Sequence, residues 1–156
     1  MAYAKGTSVS PEKTRTDIER TLSRYGAKSF AYGWSGDGAS IMFEASDRRV
    51  RFLLPLPSKD DKKFTHVLRH GYLRPRTAQQ AEGAWEQGCR ERWRSLLLAV
   101  KARLESVDAG IETFEDAFLA HIVLPDGKTV AEHAHPAIAA AYKSGQVQPL
   151  LTSGVN

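Results

Sequence analysis

The sequence predicts an α+β fold: an N-terminal helix, a three-stranded antiparallel meander, a long helix packed on the sheet, and one or two shorter C-terminal helices. Three observations support this prediction. Apolar residues recur at helical spacing before residue 26 and again after residue 77, and they alternate with polar residues in three runs between residues 28 and 56. Short turns join these runs, which favours antiparallel neighbours in a meander.

The first helix is predicted from its start and stop signals. Ser10 can cap the free amides of the first turn, and Pro11 suits the first helical position. Ile18 and Leu22 lie four residues apart and therefore on one apolar stripe. Gly26 is well placed to end the helix in a left-handed conformation.

The three strands are predicted at residues 28–34, 39–45 and 49–56, with glycine-rich or polar turns between them and prolines ending the third. Their alternation places the large apolar side chains on one face of the sheet. We expect a helix layer over this whole face, since an apolar sheet face needs cover. The residues of the face are Phe30, Tyr32, Trp34, Ile41, Phe43, Val50, Phe52 and Leu54.

Residues 58–76 are polar, basic and irregular, and we predict a long loop there. A long helix is expected to begin near Thr77 and to end by Gly110, because seven apolar residues fall on one stripe between these positions. The stripe consists of Trp85, Cys89, Trp93, Leu96, Leu97, Val100 and Leu104.

Two further helical segments are predicted near the C-terminus. Residues 111–124 begin as a helix with Thr113 as a possible cap. Residues 129–142 form the last helix, which Pro136 must start, kink or divide. Gly145 is expected to close it.

The length of 156 residues fits one domain, which we assign to residues 10–145, with a flexible tail at 1–9 and a C-terminal tail at 146–156. Cys89 is the only cysteine, so no intramolecular disulfide can form, and this fits a reducing compartment. The start of the chain lacks the apolar run of a secretory signal, and no run approaches the roughly 20 apolar residues that span a membrane. By elimination, we expect a cytoplasmic protein without membrane contact.

The charge is distributed unevenly along the chain. Residues 47–76 hold nine lysines and arginines against three acids, whereas residues 104–156 hold two lysines against seven acids. Such a gradient predicts a positive and a negative face. The alternative is that these charges only cover a solvated surface.

Three segments carry a family resemblance: IERTLSRYGAKSFAYG, RRVRFLLPLP and TFEDAFLAHIVLPDGKTV. They resemble a family of small hypothetical proteins encoded by bacteriophages and prophages, and the resemblance covers most of the chain. That family has no established activity. The resemblance therefore implies a phage-related origin and the cytoplasm of a bacterial host, and it assigns no role to any residue. Phage accessory proteins of this size often handle nucleic acid or bind a host machine, which is an argument by association.

The helix–three strands–helix order is also similar to the double-stranded-RNA-binding domain and to the core of PD-(D/E)xK nucleases. Such a nuclease needs an acid on one strand and an acid-x-lysine on the next to hold a divalent ion. Here the third strand carries Arg49 and Arg51 without an acid, and no lysine lies two residues after Glu44. The RNA-binding domain needs a lysine cluster at the start of its second helix, and residues 77–81 contain none. The two similarities therefore concern element order alone.

The sequence predicts no catalytic, metal or cofactor site. His66 and His70 have helical i, i+4 spacing but lack the glutamate of the zincin motif. His133 and His135 would point about 200° apart on a helix and share no ligand there. Cys89 lies on an apolar stripe, which favours a buried thiol over a nucleophile.

The candidate nucleic-acid site combines strand and loop residues. Two arginines project from the sheet face opposite the apolar set, and the 58–76 segment adds further cations with Phe64 and Tyr72 among them. Arginine forks pair with phosphates, and aromatic rings stack on bases. The predicted binding residues are Arg49, Arg51, Lys62, Lys63, Arg69, Arg74 and Arg76. No base-reading motif is present, so contacts mainly to the backbone of DNA or RNA are expected.

The alternative hypothesis is an interaction protein or inhibitor that docks on a host or phage protein through its acidic C-terminal region. Glu112, Glu115, Asp116 and Glu132 would form the docking face. Salt distinguishes the two hypotheses, because phosphate binding weakens steeply as the salt concentration rises.

Overall fold

The structure is a computed structural model that describes residues 3–36 and 38–151. The predicted α+β fold is confirmed, including the N-terminal helix, the antiparallel sheet, the long helix and the shorter C-terminal helices. In chain order the elements are α1 (Pro11–Arg24), β1 (Ser29–Ser35), β2 (Gly38–Ala45), β3 (Arg48–Pro55), α2 (Lys62–Thr65), β4 (His66–Arg69), β5 (Tyr72–Pro75), α3 (Ala78–Asp108), α4 (Phe114–Phe118), a 3-10 turn (Leu119–His121) and α5 (Val130–Ser144).

Helix α1 begins and ends as its signals predict. The Ser10 hydroxyl accepts a hydrogen bond from the Lys13 amide, and Pro11 takes the first helical position. At the other end Gly26 has a φ of +91°, and the Ala27 amide donates to the Leu22 carbonyl at 3.0 Å. This left-handed ending turns the chain directly into β1.

The three strands form an antiparallel meander in the order β1-β2-β3. The register pairs Phe30 with Phe43, and Phe43 with Val50, so the large apolar residues of neighbouring strands lie side by side on one face. Helices α1 and α3 cover this face, and Phe43 and Val50 are fully buried beneath them. The predicted layer order, helices over one sheet face, is therefore correct.

The expectation that the whole apolar face is covered fails at β1. Phe30 is partly buried against the core, but 48% of Tyr32 and 77% of Trp34 remain exposed. The physical reason is the placement of the helices over the centre of the sheet. Arg15 of α1 lies over the Tyr32 ring at 4.2 Å from its centroid, and no helix reaches as far as Trp34.

The core is closed by α3 and α4. The buried stripe of α3 runs from Cys89 to Leu104, and burial raises the pKa of the Cys89 thiol. Phe118 of α4 is fully buried and meets Phe43 and Phe52 edge to face, with ring centroids 5.7 and 6.2 Å away. Such aromatic pairs add to the hydrophobic gain of burial.

The prediction of an irregular loop at residues 58–76 is wrong. This segment forms the short helix α2 and the two-stranded hairpin β4–β5. The reason lies in the dipeptide His70-Gly71, whose residues both have positive φ (+51° and +81°), as a two-residue hairpin turn requires.

The C-terminal elements lie beside the edge of β3. Ile122 bridges to Val50, and the Val123 amide donates to the Arg49 carbonyl at 2.8 Å. Helix α5 starts with a capping box at Thr129 and contains Pro136 inside it, so of the three predicted effects of this proline, starting or dividing the helix is wrong. Its first half is buried at His133, Ala134 and Ala137, whereas its second half is largely exposed.

Part of the expected N-terminal tail packs on α3. Ala4 is buried, the Gly6 amide donates to Glu91 at 2.9 Å, and Gln87 donates to the Thr7 carbonyl at 2.8 Å. Residues 146–151 follow α5 and are exposed. Residues 1, 2 and 152–156 of the predicted tails lie outside the described part of the chain.

Two glycines of α3 provide a matched test of how α2 is anchored. Gly83→Ala should raise the free energy of unfolding by about 0.5–1 kcal/mol, because alanine favours a helix and its Cβ meets nothing within 4 Å. Gly88→Ala should instead lower it by about 1–3 kcal/mol, because its Cβ would lie 2.8 Å from the buried Phe64 ring. Urea unfolding of both variants measures the difference. Equal stabilisation by both would contradict the close packing of Phe64 on α3.

Candidate nucleic-acid interface

The hairpin β4–β5 is a ribbon with two chemically different faces. Its register pairs Arg69 with Tyr72 and Leu68 with Leu73. Because side chains alternate along a strand, Arg69, Tyr72 and Arg74 share one face, and the two leucines lie on the other. All five residues are exposed, including 70% of Tyr72. One face is therefore basic and aromatic, and the other is apolar.

The ribbon is held at its base by a few specific contacts. The Arg76 guanidinium donates to the carbonyls of Lys63 and Phe64 at 3.0 and 2.9 Å, and its amide donates to the Thr65 carbonyl at 2.8 Å. The Phe64 ring is buried over Gly88 of α3. These contacts fix the start of the hairpin while its tip extends into solvent.

The segment before α2 is also attached to α3. The Trp85 indole donates to the Pro57 carbonyl at 2.7 Å, and Lys59 pairs with Glu82 at 3.0 Å and lies over the Trp85 ring. Lys59 therefore serves the attachment and is already paired. The hairpin, α2 and residues 57–59 together form a small unit on the N-terminal part of α3.

The seven predicted binding residues fall into two groups. Within the described part of the chain, three of them make no ion pair, side-chain hydrogen bond or ring contact: Lys62, Arg69 and Arg74. Four are engaged by neighbours: Arg49, Arg51, Lys63 and Arg76. The free group lies on and beside the hairpin, so the unpaired charges of the predicted site are located there.

Arg51 has a structural position. Its guanidinium donates to the Gly127 carbonyl at 3.1 Å and pairs with Glu132 at 2.9 Å, and its side chain is only 21% exposed. Its Nε atom is buried and has no hydrogen-bond partner among the described residues. Arg51 therefore fastens the start of α5 to the sheet.

Arg49 and Lys63 form looser pairs. Arg49 faces Glu44 across the strands at 3.1 Å, with both side chains about half exposed. Lys63 lies 3.7 Å from Asp61 and over the Phe64 ring. Exposed pairs of this kind contribute little stability.

Half of the predicted acidic face is ion-paired within the molecule, whereas the side chain of Asp116 has no partner among the described residues. Glu115 pairs with Arg48 at 2.9 Å, Glu132 pairs with Arg51, and Glu112 accepts a hydrogen bond from Ser106 at 2.6 Å. The basic and acidic segments of the chain therefore neutralise each other where they meet. The charge gradient along the sequence does not become two separate faces there.

The histidines lie apart from one another. His66 contacts the Thr65 hydroxyl at 2.8 Å beside the hairpin, and His133 contacts Asp126 at 2.6 Å beneath α5. Within residues 3–36 and 38–151 no three His, Cys, Asp or Glu side chains converge as a metal site would require. Nor does any helix of this part have the length and apolar character needed to cross a membrane.

Hairpin formation is the feature of this interface that sequence reasoning missed. The sequence does contain a signal for the hairpin. Leu68-Arg69 precedes the turn His70-Gly71 and Tyr72-Leu73 follows it, and both dipeptides have strand-forming character. Only the pairing makes Arg69 and Arg74 neighbours of Tyr72 on one face.

Glu132 gives a pH test of the contact between α5 and the sheet. The hydrogen bond from the Thr129 amide lowers the pKa of Glu132, burial opposes this shift, and the charge of Arg51 adds to the lowering. Glu132→Gln keeps the capping box but loses the charge, so it should cost about 0.2–1 kcal/mol at neutral pH.

The sign of the pH dependence follows from the lowered pKa. The contribution of the Glu132 charge is fully present above about pH 4.5 and is lost as pH falls through the folded-state pKa. The difference in unfolding free energy between the two proteins should therefore shrink on acidification, as measured by urea unfolding from neutral pH downward. A difference that grows below that pH would contradict this account.

Comparison of the chain with protein-family models, with curated proteins and with solved structures finds no match. The resemblance to bacteriophage and prophage proteins stays a prediction.

Proposed function

We propose that this protein binds nucleic acid, mainly through phosphate contacts and without catalysis, and that the β4–β5 hairpin is its contact element. The observation that carries the proposal is the basic face of the hairpin, where Arg69 and Arg74 flank the exposed Tyr72 and have no partner among the described residues. The phage-related setting rests on the sequence resemblance alone.

The chemistry of this face suits a phosphate backbone. Arginine presents a planar fork of donors that matches two phosphate oxygens, and an exposed tyrosine ring offers a stacking surface for any base. Lys62 adds a third unpaired cation at the base of the ribbon. No base-reading motif is present, so we expect contacts mainly to the backbone and weak sequence preference.

The shape of the element suits the same role. Each strand has four residues and therefore measures about 13 Å, and a two-stranded ribbon fits the major groove of a duplex. The exposed Leu68 and Leu73 on the opposite face would then lie away from the phosphates.

Docking on a host or phage protein is the second candidate, and a different surface favours it. Two of the four acidic residues, Glu115 and Glu132, are ion-paired internally, so the acidic group keeps only the charges of Glu112 and Asp116. The outer half of α5 instead exposes Ile138 and Tyr142, which lie one turn apart, and Tyr142 is 90% exposed. This alternative predicts binding that survives reversal of the hairpin charges.

The test is the affinity for labelled single-stranded and duplex oligonucleotides, measured by fluorescence anisotropy over a range of salt concentrations. Arg69→Glu/Arg74→Glu should weaken binding by at least about tenfold and lower the slope of log K against log salt by roughly 1–2, because two phosphate contacts are lost. Tyr72→Ala should weaken single-strand binding by roughly 1–3 kcal/mol if a base stacks there.

The matched control is Arg20→Glu/Arg24→Glu on α1. It makes the same change in net charge at two exposed arginines that also have no partner among the described residues. Its effect should be much smaller. Equal losses of affinity in both double variants would mean that binding depends on the net charge of the protein and not on the hairpin. Absence of binding at micromolar protein in low salt would refute the proposal. Arg51→Glu is unsuitable here, because it would break the attachment of α5 to the sheet.

A further inference from the structure

Strand β1 is an unprotected edge of the sheet. It lies at the end of the order β1-β2-β3, and its backbone pairs with β2 alone among residues 3–36 and 38–151. Its sequence, SFAYGWS, contains no charge and no proline, and its register with β2 continues over all seven residues without a bulge. Proteins usually protect free edges with charges, prolines or bulges, because a bare edge pairs readily with another strand.

The opposite edge of the sheet shows the contrast. There, Val50 of β3 bridges to Ile122, and the Arg49 carbonyl accepts a hydrogen bond from the Val123 amide. Arg48 and Arg49 also place charge on that strand. The β3 edge is therefore covered and charged, while β1 has neither form of protection.

Exposed aromatic residues accompany the free edge. Tyr32 and Trp34 lie on the sheet face that continues into the core, yet they remain 48% and 77% exposed. Phe30 on the same face is partly buried. The apolar face of the sheet thus extends past the helix layer on the side of β1.

We propose that β1 is the interface with a second copy of this chain, paired antiparallel about a two-fold axis at Tyr32. The two sheets would join into one sheet of six strands with an isologous interface. In this register Tyr32 faces Tyr32 of the second copy, and Phe30 faces Trp34 of the second copy. On the other face Ala31 meets Gly33, so small side chains leave the pairing unobstructed.

The arrangement is self-complementary in shape. A groove of about 160 Å³ lies between the end of α1 and the start of β1. Its lining is mixed, with Leu22, Ala27 and Phe30 beside the polar residues Glu19, Ser23, Lys28 and Ser29. Since Trp34 of the second copy stands opposite Phe30, its indole falls beside this groove. The symmetry places the other Trp34 beside the equivalent groove, so the exposed Trp34 of each copy gains apolar contacts with Phe30 and with the rim of the groove.

Charge and area both favour a second copy as the occupant. The strand itself is neutral, and the cations beside it are paired: Arg15, which lies over the Tyr32 ring, with Glu12 at 4.0 Å, and Lys28 with Asp47 at 3.8 Å. Two copies with a net charge of +4 each therefore meet there with little local self-repulsion. The exposed parts of Tyr32 and Trp34 amount to roughly 250 Å² per copy, taking 150–250 Å² for an aromatic side chain. The aromatic side chains of two copies thus contribute about 500 Å², half of the roughly 1,000 Å² that a specific interface needs, and the two strand edges, each about 23 Å long, add to that area.

The first test is the mass of the protein by sedimentation equilibrium, without nucleic acid, from micromolar to near-millimolar concentration. The wild-type chain of 17.3 kDa should reach twice that mass, and Trp34→Glu should raise the dissociation constant by at least about tenfold. Tyr142→Glu, a matched change at an exposed aromatic on α5, should leave it unchanged. Circular dichroism should show both variants folded, since both side chains are exposed.

The second test fixes the register by a disulfide. Tyr32→Cys in a Cys89→Ala background should form a covalent dimer on mild oxidation, because opposed residues of antiparallel strands have Cα atoms about 4.5–5.5 Å apart and disulfides accept about 4.4–6.8 Å. Leu53→Cys, exposed on the other face of β3, should form no covalent dimer in the same background.

A wild-type chain that remains monomeric at near-millimolar concentration would overturn the proposal. The exposed edge of β1 would then have to serve a partner other than a second copy. A dimer unaffected by Trp34→Glu, or crosslinked through position 53 and not through position 32, would overturn it as well.

Discussion

Helix α3 is longer than the sheet that it covers, and the rest of the structure depends on this mismatch. Its 31 residues span about 46 Å, whereas an eight-residue strand spans about 26 Å. Burial in α3 begins at Cys89, so the first turns of the helix extend past the core. Phe64, packed over Gly88, covers this extension and carries the hairpin with it. The basic ribbon stands away from the sheet because the helix does.

Folding pairs many of the charges that are separated along the chain. Counted by position, residues 47–76 are strongly basic and the C-terminal third is acidic. The C-terminal segment returns along β3, where Glu115 meets Arg48 and Glu132 meets Arg51 at 2.9 Å each. The sheet arginines thereby lose most of their long-range field. Positive charge remains unpaired on the hairpin, at Arg69 and Arg74, as it does at Arg20 and Arg24 of α1.

Much of the fold was predictable because its signals are local or periodic. Caps such as Ser10 and Thr77, the alternation in β2 and β3, and the stripe of α3 each specify an element without tertiary information. The hairpin was not predicted because its strands have four residues each, too few for an alternating pattern to appear. The exposure of Trp34 was not predicted for another reason. Alternation assigns a residue to a sheet face, but the width of the helix layer determines whether that face is covered.

For the candidate site, the residue types were predictable and their pairing was not, because Arg51 meets Glu132 across 81 positions of the chain.

The two exposed β elements differ in chemistry, and this difference separates their roles. The hairpin carries arginines on both strands, so two hairpins would repel each other, whereas a polyanion would be attracted to either. β1 is neutral and aromatic, so its side chains attract another apolar strand and not a phosphate.

The two elements also differ in local stability. A two-stranded ribbon with few buried side chains is marginal by itself, and contact elements are commonly drawn from such segments of low local stability. β1 is instead held along its full length by β2. It is therefore rigid enough to serve as a template for a further strand, because its backbone groups are already ordered before the partner arrives.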